Sequence, residues 1–177
     1  FDPDARTADL PARARTVIVG AGVVGSAVAY HLSRLGDDDV LVVDRHGVAS
    51  GSSWHAAGLV VATRATHALA ELARAAIDLY ATREDETGVD VGFTRTGSLT
   101  VARTAGRVDE LRYFAAVARH HGVPAELVDP ARVPELSPLA SADGLVGGLY
   151  QPLDGYVNPG LLAQALATGA HAAGATV

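Results

Sequence analysis

Gly20, Gly22 and Gly25 stand between a β-branched run and a segment of helical periodicity, an arrangement that leaves few folds open to the chain. Thr16 to Val19 has the pattern of a fully buried parallel strand. Val23 to Leu35 predicts a helix with Val24, Ala27, Val28, Leu32 and Leu35 on its inward face and Gly36 as its stop. After the polar turn Asp37-Asp38-Asp39, Val40 to Val43 predicts a second buried strand that ends at Asp44. Strand, helix and strand within roughly 30 residues form a βαβ unit, so the expected class is α/β with a parallel sheet.

Each glycine then has a physical task. Gly20 permits a tight turn, Gly22 lets backbone come close to a phosphate, and Gly25 lets helix pack on strand. The helix start offers free N–H groups and a partial positive charge to a pyrophosphate. Asp44 is placed to accept hydrogen bonds from ribose hydroxyls. A glycine turn in another α/β fold would look similar by itself. Strand, helix, second strand and acid in this order favour a dinucleotide, without separating a nicotinamide from a flavin.

Composition removes several alternatives. The chain has 177 residues, 49% of them apolar, which fits a globular protein and not a disordered one. All 14 basic residues are arginine, which excludes a Schiff-base or P-loop lysine. A net charge of −6 with dispersed arginines argues against nucleic acid as a partner. There is no cysteine for a disulfide or thiolate, and His46, His67 and His171 lack ligand spacing, so no metal site is expected. His31 reads as structural. His120 and His121 are adjacent near a helix end, where neighbouring side chains diverge. No apolar run has the length of a membrane span, and a cytoplasmic protein is expected. Residues 1–12 read as a flexible leader. Methionine is absent, and Gly174 to Val177 resembles the start of a strand, so the chain is expected to be a piece of a longer one.

Beyond Asp44, Arg45 to Gly58 is a loop rich in Gly and Ser. A helix is predicted from Thr66 to Thr87, with Leu69, Leu72, Ala76, Leu79 and Tyr80 inward and Gly88 closing it. Glu84, Asp85 and Glu86 near its end read as a solvated face. Phe93 to Ala102 predicts a strand or hairpin arm, and Arg107 to His121 a helix with Val108, Leu111, Ala115 and Ala118 inward. Leu127 to Leu139 reads as turns with a short helix begun at Asp129. Gly147 to Gln151 predicts a strand, Asp154-Gly155 a turn. Asn158-Pro159 predicts a capped helix running to about Ala173.

Five pieces now stand in order: Val19-Gly-Ala-Gly-Val-Val-Gly25, Ala29-Tyr-His-Leu32, Gly51-Ser-Ser-Trp-His-Ala-Ala-Gly-Leu59, Thr96-Gly-Ser-Leu99 and Asp154-Gly-Tyr-Val-Asn-Pro159. In these the chain resembles the D-amino-acid-oxidase-like flavoproteins, and among them the dimethylglycine dehydrogenase and sarcosine dehydrogenase group. The resemblance implies FAD. Val23 and Val24 would line the pyrophosphate turn, and Asp44 with Arg45 would sit at the adenosine ribose. Gly51, Ser52, Ser53, Trp54, His55, Ala56, Ala57, Gly58 and Leu59 would wrap the diphosphate and flavin, with Trp54 covering the flavin region. The family more often carries Glu where this chain has Asp44. His55 would be the covalent attachment site, through the flavin 8α-methyl; the alternative is a loop histidine bonded to phosphate or backbone.

The implied layout is a Rossmann-like FAD-binding domain interleaved with the first part of a substrate-binding domain. Residues 13–62 would hold the first βαβ and the flavin loop. Residues 63–157 would be cap helices and partial substrate domain, and residues 158–177 the return helix with the start of the next FAD-domain strand. The implied activity is oxidation of an N-methylated amino acid such as dimethylglycine or sarcosine, by hydride transfer from the N-methyl carbon to flavin N5. Tetrahydrofolate and an electron-transfer flavoprotein are implied partners. The family's catalytic residues would lie beyond position 177, so none is named. Another amine or amino-acid oxidase of the same superfamily, a non-catalytic FAD-binding fragment, and a nicotinamide-binding module remain alternatives.

Overall fold

The computed structural model describes residues 10–82 and 87–177. Residues 1–9 of the expected leader, and the acidic Glu84, Asp85 and Glu86, lie outside the described residues. The chain divides into two compact units: Phe1–Gly58 with Leu79–Phe93 and Val157–Val177, and Leu59–Asp78 with Thr94–Tyr156. The segment Leu79–Phe93, grouped by sequence with the middle of the chain, clusters with the first unit.

In the first unit β1 (Thr16–Val19) and β2 (Val40–Val43) pair in parallel, Thr16 opposite Val40 through Val19 opposite Val43. Helix α1 (Val23–Arg34) connects them, and Gly36 takes a φ of +94° two residues past its end. The far edge of β2 is met by Thr176. Its amide donates to Val40 O at 2.9 Å and its carbonyl accepts from Val42 N–H at 2.8 Å. The chain thus returns to this sheet in parallel after its last helix, α5 (Pro159–Ala172). Asn158 caps α5: its Oδ1 accepts from Gly160 N–H and Leu161 N–H, both at 3.0 Å. Helices α1 and α5 pack closely through small residues. Ala29, Tyr30, Leu162, Ala163, Leu166 and Ala170 are all buried, and a methyl group on Gly169 would lie 2.8 Å from the Tyr30 ring.

Two burial expectations fail here. β1 is not fully buried: Val17 and Val19 are 54% and 86% exposed. Among the described residues its one strand partner is β2, so it lies at the sheet edge, whereas β2 lies between β1 and Thr176. The inward face of α1 is not Val24, Val28 and Leu35, which are exposed, but Ser26, Ala29, Tyr30 and Ser33. The close approach of α5 selects the small-residue side, which periodicity in apolar residues does not mark.

The second unit is built on an antiparallel sheet. β4 (Ser98–Ala102) and β5 (Glu126–Val128) flank β6 (Gly147–Gln151), with Thr100 and Leu127 both opposite Leu149. Helix α3 (Ala105–His120) covers it, packing Leu111 and Ala115 with Ala102 and Leu149 while Val108 and Ala125 close the cluster. Thr104 caps α3, its hydroxyl accepting from Arg107 N–H at 3.2 Å. The predicted short helix after Asp129 is a 3-10 turn, Pro130–Arg132, continued by α4 (Val133–Leu136).

β3 (Leu59–Val60) and β7 (Gly155–Tyr156), neither of them predicted as a strand, pair antiparallel. Helix α2 spans His67–Ala81, and its buried residues are Ala70 and Ile77; Leu69 and Leu72, predicted to face inward, are 50% and 67% exposed. No helix among the described residues is long and apolar enough to cross a membrane.

Candidate functional site

The site grows from the end of β1. Gly20 turns the chain with a φ of +109°, a left-handed conformation that an L side chain resists. A methyl group on Gly25 would lie 1.9 Å from Gly20 O and 3.2 Å from Ile18 Cγ2, so bare backbone is needed where α1 leaves the strand. Gly22 is the N-cap of α1 and offers no side-chain cap, and no acid occupies the first turn. The first amides of α1 therefore face outward without intrahelical acceptors.

One of these amides has a distant partner. Val23 N–H donates to Ser53 Oγ at 2.9 Å, and a methyl group on Gly22 would crowd that oxygen at 2.9 Å. The loop is stitched to the turn at a second point, where Ala49 N–H donates to Ala21 O at 2.9 Å. Ala49 is buried with a φ of +62°, a conformation costing about 1 kcal/mol for an L residue.

Asp44 closes the other side. Its Oδ2 accepts from Ala21 N–H and its Oδ1 from His46 N–H, both at 2.9 Å. The Ala21 amide foremost, then that of His46, holds the carboxyl below its ordinary pKa of 3.8, against a smaller opposing effect of burial. Each oxygen retains a second lone pair, so a ribose diol can still be bound. Asp44, Arg45 and His46 line an open cleft of about 640 Å³ with Val19, Gly20, Val43, Ser50 and Gly51.

The loop Gly51–Gly58 runs outward from there. Gly51, Ser52, Trp54, His55, Ala56 and Ala57 are exposed, Ser53 is half-buried and Gly58 buried. His55 N–H donates to Ser52 O and Ala56 N–H to Ser53 O, each at 3.2 Å, so the middle of the loop is wound into short turns. The rings of Trp54 and His55 lie 4.6 Å apart. Trp54 is 62% exposed and so is no core residue; with Asn158, Gly160 and Gln164 of the α5 start it lines a 420 Å³ cavity. Gly58 ends the loop with a φ of +74°, its carbonyl accepting from Val157 N–H at 2.9 Å. A methyl group there would sit 2.1 Å from Val157 O.

The predicted site residues Gly20, Gly22, Val23, Gly25, Asp44, Arg45, Gly51 and Ser53 are thus gathered around the start of α1 and the adjoining cleft. Val24 is exposed one residue beyond Val23. The cradle fits a dinucleotide with a pyrophosphate at α1, since Gly22 and Gly25 leave no room for a side chain at the turn and no acid occupies the first turn of α1. Sequence reasoning passed over Ala49 and His46, whose contributions are made by backbone and leave no side-chain signature.

Asp154 belongs to the second unit and does more than form a turn. It is buried, its Oδ1 accepting from Ala62 N–H at 2.8 Å and its Oδ2 from Ser98 Oγ–H at 2.6 Å. Of the histidines, His31 is exposed against Tyr30, and His171 Nδ1 lies 3.2 Å from Ala175 O. His121 is buried, its ring 5.3 Å from that of His120 and 5.7 Å from that of His67. Among the described residues no group of three or more potential ligands is placed to hold a metal ion.

Residues 15–177 match the family model described as DAO, FAD-dependent oxidoreductase. The chain belongs to this family. It is 48% identical over 168 residues to 4-methylaminobutanoate oxidase (formaldehyde-forming) of Paenarthrobacter nicotinovorans, covering 95% of this chain and 20% of that protein. It is 41% identical to the mitochondrial dimethylglycine dehydrogenase of Rattus norvegicus, over 90% of this chain and 19% of that one. The crystal structure of glycine oxidase from Bacillus cereus superposes with a TM-score of 0.78 at 30% identity, over 93% of this chain and 45% of that chain. The chain spans about a fifth of the length of the curated relatives it matches.

Proposed function

We propose that this chain is the FAD-cradling part of an amine oxidoreductase that oxidises the N-methyl group of an N-methylated amino acid. The observation that carries the reading is the hydrogen bond from Val23 N–H to Ser53 Oγ. It brings the Gly51–Leu59 loop onto the pyrophosphate turn, so phosphates and flavin can be served by one continuous surface. The Gly51–Leu59 loop and the match to an FAD-dependent family argue against a nicotinamide module.

A bound flavin supplies the acceptor for a hydride leaving the substrate's N-methyl carbon. The residues present bind and orient. The α1 amides and dipole hold the pyrophosphate, and Asp44 holds the ribose. His55, exposed and next to Trp54, is the proposed attachment point for the flavin 8α-methyl, since a neutral imidazole is a competent nucleophile near neutral pH. The names of the two curated relatives, a formaldehyde-forming methylamino acid oxidase and a dimethylglycine dehydrogenase, support an N-methyl amino acid as substrate. Tetrahydrofolate as one-carbon acceptor and an electron-transfer flavoprotein as oxidant are proposed partners of the full-length protein.

The test is acid precipitation of the purified protein, followed by flavin absorbance in the washed pellet. Flavin in the pellet of the wild type, and in the supernatant for His55→Ala, is expected. Flavin released from the wild type would remove covalency, and no flavin in either fraction would remove the FAD reading. For the substrate, bleaching of the full-length enzyme's flavin by dimethylglycine, sarcosine or 4-methylaminobutanoate is compared with proline and D-amino acids. Bleaching by the last two alone would overturn the N-methyl assignment.

A further inference from the structure

We propose that Ser53 is a positioning residue coupling occupancy of the pyrophosphate turn to the pose of Trp54 and His55. The proposal rests on the FAD reading and adds a link between two parts of that site.

Ser53 has two attachments. Its hydroxyl oxygen accepts from Val23 N–H at 2.9 Å, directly at the start of α1. Its backbone carbonyl accepts from Ala56 N–H, while Ser52 O accepts from His55 N–H, both at 3.2 Å. The side chain is therefore held by the turn, and the main chain belongs to the winding that presents Trp54 and His55. The flanking anchors do not duplicate this role. Ala49 N–H on Ala21 O fixes the loop before Gly51, and Gly58 O with Val157 N–H fixes it after Ala57. Between these anchors Trp54 and His55 are exposed.

A hydroxyl accepts and donates at once. With Val23 N–H directed at its lone pair, Ser53 keeps its own proton for an anion arriving at the α1 N-terminus, in a charge-assisted bond. A phosphate there draws on Ser53 and the amides of α1 together, and the loop turn carrying Trp54 and His55 is set by the same event. Loading the phosphate end of the cofactor thus prepares the flavin end.

Trp54 is the only tryptophan in the chain and lies next to Ser53, so its fluorescence reports the loop. The probe is ADP, which carries the adenosine and pyrophosphate but no flavin. The wild type, produced free of flavin so that the turn is open to ADP, is titrated beside Ser53→Ala and Ser53→Thr produced likewise, with circular dichroism and urea midpoints establishing that each variant is folded. Binding is followed separately by calorimetry. The expected result is a Trp54 response in the wild type and in Ser53→Thr. Ser53→Ala is expected to bind ADP about tenfold more weakly, as for loss of one hydrogen bond to a charged group, and to show no Trp54 response even at saturation.

A full Trp54 response in ADP-saturated Ser53→Ala would overturn the coupling and leave the nucleotide reading standing. Complete loss of ADP binding in folded Ser53→Ala, with binding kept in Ser53→Thr, would make Ser53 an anion ligand only and also overturn it. Absence of calorimetric ADP binding in the wild type would overturn the nucleotide reading, and the coupling with it. If Ser53→Ala does not fold, Ser53→Thr decides: a methyl group added beside a retained hydroxyl must preserve the response.

Discussion

A methyl group on Gly25 meets backbone 1.9 Å away, whereas one on Gly51 meets nothing within 4 Å, although both glycines belong to motifs of the same site. Gly25→Ala is expected to lower stability by about 1–3 kcal/mol through overpacking, and Gly51→Ala to stay within about 0.5 kcal/mol, read as urea midpoints at constant slope. Equal effects would mean that close helix–strand packing is not what Gly25 provides. Asp44 gives a pH-dependent counterpart. Because the Ala21 and His46 amides depress its pKa below 3.8 in the folded state, its contribution is present above about pH 4. That contribution is lost as the pH falls through the folded pKa. Urea midpoints between about pH 6 and pH 3 should fall more steeply for the wild type than for Asp44→Asn. The difference will be modest, since Asp44 is exposed, and parallel curves would show that the carboxylate's amide bonds are not formed in solution.

Helix α2 separates two readings of one sequence. Its apolar spacing points inward at Leu69 and Leu72, yet the buried positions are Ala70 and Ile77. Ile77→Ala is expected to cost about 2–5 kcal/mol, and Leu72→Ala less than about 0.5 kcal/mol, in chemical denaturation. The reverse order would place the packed side of α2 where periodicity alone puts it. The same discrepancy marks α1, whose Val24, Val28 and Leu35 are exposed while Ser26, Ala29 and Ser33 are covered. Elements stopped by local chemistry behave otherwise. The start of α5 at Asn158-Pro159, and the end of α1 before Gly36, lie where capping and glycine rules put them.

At the scale of the whole chain, stability depends on bonds between distant residues. Asp154 joins Ala62, 92 residues away, to Ser98, and its loss would leave a buried amide and a half-buried hydroxyl without these acceptors. Asp154→Ala is expected to destabilise by about 2–3 kcal/mol and Asp154→Asn, which keeps one acceptor, by less, measured by urea unfolding. An unchanged midpoint in Asp154→Ala would return Asp154 to a simple turn role. The sequence by itself determined the strand–glycine turn–helix–strand order, the cap at Asn158, and the motifs that carry the family resemblance. These depend on neighbours a few residues apart, where propensity and capping act. Only the tertiary structure decided which sides of β1, α1 and α2 are covered, that β3 pairs with β7, and that Asp154 is buried. It also brought Ser53 onto Val23, 30 residues upstream. Burial and pairing are settled by which surfaces meet once the chain has folded, and an apolar stripe states a preference for cover without naming what provides it.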